Sequence, residues 1–238
     1  MNYAMKLQTL AATLVVGVLL SSCNVEDPGP RQEGEKRYSV IDFDRVEIGH
    51  GFHVEVRYDE IFSVSVRGDR RNLDDLVVKN EGGTLVVRYD DARRRRHETY
   101  VYVTMPQLKA VHFSGGVNAN VSRFDDLESL NVYLSGGSLC QLNVSTPRLK
   151  AVLTGASHLT ARGYGETMTA DLSGASILKA FNFPVEEASV VASGASMAEL
   201  TAASLLDARA SGASHIRYRG TPIVESEVSG ASTVRSEP

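Results

Sequence analysis

The sequence predicts an all-β protein, a β-solenoid with rungs of about 18–21 residues, and three observations carry that prediction. The first is a phrase that keeps returning: Ser135-Gly136-Gly137-Ser138, Thr154-Gly155-Ala156-Ser157, Ser173-Gly174-Ala175-Ser176, Ser193-Gly194-Ala195-Ser196, Ser211-Gly212-Ala213-Ser214 and Ser229-Gly230-Ala231-Ser232. With a looser copy at Ser114-Gly115-Gly116-Val117, the leading glycines step by 21, 19, 19, 20, 18 and 18 residues. That period is too short for a helix pair or a propeller blade, and the dense Leu and Asn consensus of leucine-rich repeats is missing. The second observation is parity within a rung. Leu149, Ala151, Leu153, Gly155, Ser157, Leu159 and Ala161 form a set that is apolar apart from its Gly-Ser, while Lys150, Thr154, His158, Thr160 and Arg162 between them are polar. Alternate residues of a strand face opposite ways, so one face is buried and the other wet. The third is the same period-two alternation upstream of the repeats, between Tyr38 and Met105.

Composition narrows the class. A chain of 238 residues with 42% hydrophobic and 23% charged residues has the make-up of a globular protein. Tryptophan is absent and aromatics make up 7%, so the core has to be aliphatic and rich in alanine. A net charge of -4 lacks the basic footprint that nucleic-acid binding requires, and nucleic acid is not expected as a partner.

In chain order, Lys6 precedes an apolar run, Leu10 to Leu20, that is too short to span a bilayer comfortably. It ends in Leu20-Ser21-Ser22-Cys23, the small-residue pattern of a secretory signal. Cysteine in that place resembles the bacterial lipobox, which implies a lipoprotein signal peptide at 1–22, lipidation of Cys23 and attachment to a membrane. The alternative is a general signal peptide with an incidental cysteine. Asn24 is not an inner-membrane retention aspartate, so the expected location is the cell envelope as an outer-membrane lipoprotein, facing the periplasm or the exterior. Residues 23–37 combine Pro, Gly and charge with few apolar residues and read as a flexible tether.

A single domain is expected over 38–238, with less regular strands at 38–106 and the repeated rungs at 107–238. In the first part Val46 and Ile48, Phe52, Val54 and Val56, Phe62, Val64 and Val66, Leu85 and Val87, and Val101 and Val103 alternate with polar neighbours as half-buried strands. Gly49, Gly51, Gly68 and Gly82-Gly83 punctuate them, and Asp69 to Leu76 has room for one helical turn. Between two of these strands Asp90-Asp91-Ala92 runs into Arg93-Arg94-Arg95-Arg96-His97, either a solvated loop tip or a basic contact for anionic glycan or lipid headgroups.

In the repeats, parity passes unbroken through the Gly-Ala step, so the phrase reads as a bend within extended chain. Gly136, Gly155, Gly174, Gly194, Gly212 and Gly230 are expected to face inward, where a Cβ would collide near the axis. Ser138, Ser157, Ser176, Ser196, Ser214 and Ser232 should share the inner side and hydrogen-bond one another or bent backbone amides. The alanines would form an outer strip. Thr146-Pro147, Gly163-Tyr164-Gly165, Phe183-Pro184 and Gly220-Thr221-Pro222 read as loops between rungs. Cys140 falls on an apolar strand position and reads as a buried free thiol.

The Ser-Gly-Ala-Ser rungs follow Thr104-Met105-Pro106-Gln107-Leu108-Lys109, behind a Phe52-His53-Val54-Glu55-Val56 strand and the Cys23 lipobox. Together these resemble the family described as putative auto-transporter adhesin, head GIN domain, found mainly in Gram-negative lipoproteins and secreted proteins. The resemblance covers Tyr38 to Val234. It implies a right-handed parallel β-helix or a closely related β-solenoid, and it supplies no catalytic residues.

The residues themselves do not assemble a catalytic constellation. The repeated serines have no His or Asp at fixed spacing to act as a base. His158 and His215 share an outward column but stand three rungs apart, roughly 14 Å at strand spacing, too far to share an ion. His50 and His53 read as surface or partner contacts. Asp207 with Glu225 and Arg209 with Glu227 are expected as rung neighbours on a wet face. No cofactor, metal or catalytic residue is expected. The function expected is a lipid-anchored binding or surface-structural module, adhesin-like, with a glycan or protein surface ligand. The alternatives are a carbohydrate-active β-helix enzyme of lyase or hydrolase type, and a self-associating architectural envelope protein.

Overall fold

The computed structural model describes residues 29–91 and 97–238. The expected leader, Cys23 and the Arg93–Arg96 run lie outside those residues. In chain order the strands are β1 (Glu33–Tyr38), β2 (Arg45–Ile48), β3 (His53–Tyr58), β4 (Ser63–Asp69), β5 (Leu76–Glu81), β6 (Thr84–Tyr89), β7 (Tyr100–Met105), β8 (Ala110–Phe113), β9 (Asn118–Phe124) and β10 (Leu130–Leu134). They continue with β11 (Leu139–Ser145), β12 (Arg148–Leu153), β13 (His158–Tyr164), β14 (Thr167–Leu172), β15 (Ile177–Ala192), β16 (Met197–Ala210), β17 (His215–Arg219), β18 (Ile223–Val228) and β19 (Thr233–Ser236). One helical turn, α1 (Arg70–Leu73), falls inside the Asp69–Leu76 stretch expected to hold it.

Two parallel ladders make the solenoid. One runs β6, β2, β8, β10, β12, β14, then the second half of β15, the second half of β16, and β18. The other runs β7, β3, β9, β11, β13, then the first halves of β15 and β16, followed by β17 and β19. Each Ser-Gly-Ala-Ser phrase carries the chain from a strand of the first ladder to one of the second. The alternating apolar residues of both ladders meet between them. Leu149, Ala151, Leu153, Leu159 and Ala161 are buried, and so are their counterparts in neighbouring rungs.

The stack does not follow chain order at its N-terminal end. Strands β2 and β3 pair with β6 and β7 on one side and with β8 and β9 on the other, so the first rung made is sandwiched between the next two. Beyond β6 and β7 the pairing turns antiparallel: β5 covers β6, β4 covers β7, and β1 covers β4.

Three sequence expectations need correction. The tether expected over 23–37 is too long, because Glu33–Tyr38 forms β1; its side chains are mostly polar, and backbone pairing with β4 holds it in place. Gly163-Tyr164 and Phe183-Pro184 are not loops. The first pair ends β13, and the second lies inside β15 at a register shift that absorbs the proline, with Phe183 fully buried. The repeat glycines do not point to the axis. They are exposed except for a half-buried Gly137, and they sit in tight turns at the corner.

Candidate functional site

The corner is structural. The leading glycines adopt φ between 64° and 79°, the left-handed region, from Gly136 to Gly230. Where alanine follows, only the first central residue has positive φ; in Gly136-Gly137 both do. Those are the φ signatures of the two mirror-image turns that fit twisted strands. The collision that excludes a side chain runs along the stack, not toward the axis. A Cβ on Gly174 would lie 2.4 Å from the carbonyl oxygen of Gly155, and one on Gly194 would lie 2.5 Å from that of Gly174. The rungs come this close because the ladder persists through the turn: Ala175 N donates to Gly155 O at 2.7 Å, and Ala195 N donates to Gly174 O at 2.7 Å. The alanines are exposed, as the parity predicted.

The serines take the expected inner side. Ser138, Ser157, Ser176, Ser196 and Ser214 are buried, and Ser232 is half-buried. Most of their hydroxyls close their own turn: Ser157 Oγ donates to Thr154 O at 2.9 Å and Ser176 Oγ to Ser173 O at 2.8 Å. Contact with the next rung's amide appears toward the C-terminal end, where Ser214 N donates to Ser232 Oγ at 3.1 Å. A buried hydroxyl donating to a carbonyl has no base to take its proton, so this column is not nucleophilic. Cys140 is buried beside it on the same inner side of the second ladder, and burial pushes its thiol up to about 12.

The outer surface of the second ladder is chemically different. Pairing aligns Tyr100, His53, Asn118, Leu139 and His158 in one column, and Tyr102, Glu55, Asn120, Gln141 and Thr160 in the next. Ser122, Asn143 and Arg162 continue a third. Two depressions lie on this surface, about 220 Å³ over His53, Tyr100 and Asn118, and about 310 Å³ over Ser122, Asn143 and Arg162; Asn120 and Gln141 line both. His53 and Tyr100 stack with ring centroids 4.9 Å apart. Among the described residues, no side-chain hydrogen bond engages Asn118, Asn120, Gln141 or Asn143. Among the described residues Glu55 is the one carboxylate lining the two depressions, with Arg57 3.4 Å from it; Glu98 stands 3.4 Å from His53 and accepts from the Tyr100 hydroxyl. Burial lowers the pKa of His158, with Lys179 adding to the shift and Glu199 opposing it.

Another depression, about 320 Å³, lies on the first ladder over Glu47, His112 and Tyr133. His112 and Tyr133 stack at 4.3 Å, and burial lowers the histidine's pKa against the pull of Glu47.

Of the histidines singled out in the sequence, His53 enters the amide surface. His50 instead accepts from Tyr89 N at 3.0 Å at a corner, with φ of 63°. His158 and His215 do share a column, with Ile177 and Met197 between them. The Asp207–Glu225 and Arg209–Glu227 rung neighbours are found as expected, and Arg209 reaches both Asp207, at 3.1 Å, and Glu227, at 3.6 Å. Among the described residues no group of His, Cys, Asp and Glu is arranged to hold a metal ion, and no helix is long and apolar enough to cross a membrane. The amide surface was missed in the sequence because its members come from different rungs. The signal present was the run of outward-parity amides at Asn118, Asn120, Gln141 and Asn143.

Solved structures share this fold at low identity. A putative adhesin from Bacteroides fragilis superimposes with a TM-score of 0.78 at 17% identity, covering 87% of this chain and 98% of its own. A putative adhesin from Parabacteroides merdae gives 0.72 at 19%, covering 88% and 98%. A protein described as a putative lipid binding protein, from Parabacteroides distasonis, gives 0.68 at 17%, covering 87% and 97%. A comparison with curated proteins found no match. The family model described as putative auto-transporter adhesin, head GIN domain, matches residues 42–222, most of both ladders, and the chain belongs to that family.

Proposed function

We propose that this chain is an extracytoplasmic binding module, held at the cell envelope by lipid on Cys23, which presents the outer face of its second ladder to a macromolecular ligand. The observation that carries the reading is the set Asn118, Asn120, Gln141 and Asn143 on the adjacent strands β9 and β11, with Asn120 and Gln141 in register, whose amides no side-chain hydrogen bond occupies among the described residues. The solenoid holds these groups at fixed spacing, so little freedom is lost when a ligand engages them. The adhesin description of the family supports a surface role. Binding is favoured over turnover because glycoside hydrolysis by the common route needs two carboxylates across the bond; among the described residues Glu55 is the one carboxylate in the lining of these depressions, and Glu98 is engaged by His53 and Tyr100. Cys23→Ser tests the anchoring: the protein should move from the membrane fraction to the soluble one. Wild-type protein already soluble would overturn the anchor.

A second reading, self-association, is favoured by the far end of the stack. Among the described residues β18 pairs along one edge with β16, and β19 along one edge with β17, which leaves their other edges open. Ile223 is 73% exposed there. Open sheet edges invite pairing, and the acidic Glu225 and Glu227 of β18 complement Arg235 of β19 in a second copy. Sedimentation of the Arg235→Glu variant should show less dimer than the wild type; a monomeric wild type at high concentration removes this reading.

A further inference from the structure

We propose that the amide face of β9, β11 and β13 binds an uncharged glycan chain lying along the solenoid axis, with a sugar ring packed beside His53 and Tyr100. This rests on the reading of the second-ladder face as the binding surface and names the ligand class. Four properties of the face point to it.

Each amide offers two donors and one acceptor carbonyl, which matches a hydroxyl that both gives and takes a hydrogen bond. Asn/Gln ladders commonly satisfy themselves by stacking. Here Asn120 and Gln141 are in register on adjacent rungs, yet among the described residues neither has a side-chain hydrogen bond. Their polar groups are left to whatever lies on the face.

The centre of the face carries no formal charge. Asn118, Asn120, Ser122, Leu139, Gln141, Asn143 and Thr160 are flanked at one end by Glu55 with Arg57 and by Glu98 beside His53 and Tyr100, and at the other by Arg123, Arg162 and Lys179. An acidic polysaccharide or an anionic headgroup would call for arginine or lysine along the whole contact, whereas Arg123 and Arg162 line only the second depression and the first has neither residue type in its lining.

Apolar area is placed where the C–H face of a sugar would lie. Leu139 is 47% exposed between Asn118 and His158 in its column, and the His53–Tyr100 stack closes the opposite end. Stacked rungs repeat at about 4.8 Å, close to the length of one pyranose in an extended chain, so a glycan running along the axis meets an equivalent pair of columns at each sugar.

The test uses the full-length protein in detergent. It is applied to an array of neutral oligosaccharides (glucans, mannans and galactans), with sulfated and uronic-acid oligosaccharides and anionic phospholipid vesicles as the other arms. The expected result is retention by one or more neutral glycans that added salt does not weaken. Asn120→Ala with Gln141→Ala should lower that affinity at least tenfold, while the circular dichroism spectrum and melting temperature stay unchanged. Asn120→Asp, which keeps the shape but adds a charge, should lower it as well. Preference for the acidic glycans or for vesicles, lost in the double variant, overturns the neutral-glycan inference and leaves the binding face standing. Binding of any probe that the double variant does not alter overturns both, as does failure to retain any probe.

Discussion

At the residue scale the repeated glycine is constrained twice, by its φ and by the rung beneath it, and the two constraints separate along the chain. Gly174 has φ of 77° and a backbone oxygen 2.4 Å from where its Cβ would be. Gly137 has φ of 83° and nothing within 4 Å. Left-handed φ alone costs a non-glycine residue about 1–2 kcal/mol, and asparagine less because its side chain bonds locally. Gly174→Ala is therefore expected to destabilise by more than about 2 kcal/mol, whereas Gly137→Asn should fold with a loss below about 1 kcal/mol. Chemical denaturation of the two variants measures the difference, and equal losses would mean that φ alone sets the requirement. The glycine requirement was legible in the sequence. Its cause was not, because parity assigned the glycine to the inner face and could not register that a tight turn takes it out of the alternation.

At the scale of elements, the antiparallel cover of the N-terminal end is joined by one buried carboxylate. Asp69 ends β4 and caps α1: its Oδ1 accepts from Arg71 N at 3.0 Å, and its Oδ2 accepts from Gln32 N, just ahead of β1, at 3.0 Å. The Arg71 guanidinium adds bonds at 2.8 and 2.7 Å and, with the two backbone donors, holds the carboxyl well below the usual carboxylate range against the opposing effect of burial. A carboxylate held low takes up its proton later in the folded than in the unfolded state. Its contribution is thus complete above the unfolded value, about pH 4, and is lost as pH falls through the folded one. Asp69→Asn keeps a cap acceptor but loses the charge that the Arg71 guanidinium engages, and should cost about 1.5–3 kcal/mol near neutral pH. It should also flatten the fall in stability below pH 4, as read from denaturant midpoints across the acid range. An unchanged acid slope would mean that other carboxylates govern it. The sequence placed a helical turn here but gave no sign that Gln32, 37 residues upstream and just ahead of β1, returns to the same carboxylate.

At the scale of the whole molecule the two ends of the stack differ among the described residues. Antiparallel β4 and β5 cover the N-terminal rungs, whereas β18 and β19 have one partner each among the described residues, and Val224 and Val234 are only half-buried. In a stack whose rungs gain stability from their neighbours, a rung supported on one side opens first. Amides of β17 to β19 are expected to exchange with solvent at least about tenfold faster than those of β11 to β14, as measured by hydrogen–deuterium exchange with peptide resolution. Uniform protection would show that the stack opens as one unit.

Sequence alone determined the period, the strand faces, the inner serines and the buried Cys140, because each depends on local alternation and on a repeat that is visible along the chain. Tertiary structure decided the rest. The insertion of the β2–β3 rung between its successors and the capture of β1 depend on backbone pairing that carries no side-chain code. The meeting of His53 and Tyr100 with Asn118, Asn120 and Gln141 depends on which strands become neighbours, and outward residues are indistinguishable from ordinary wet surface until the stacking order puts them in register.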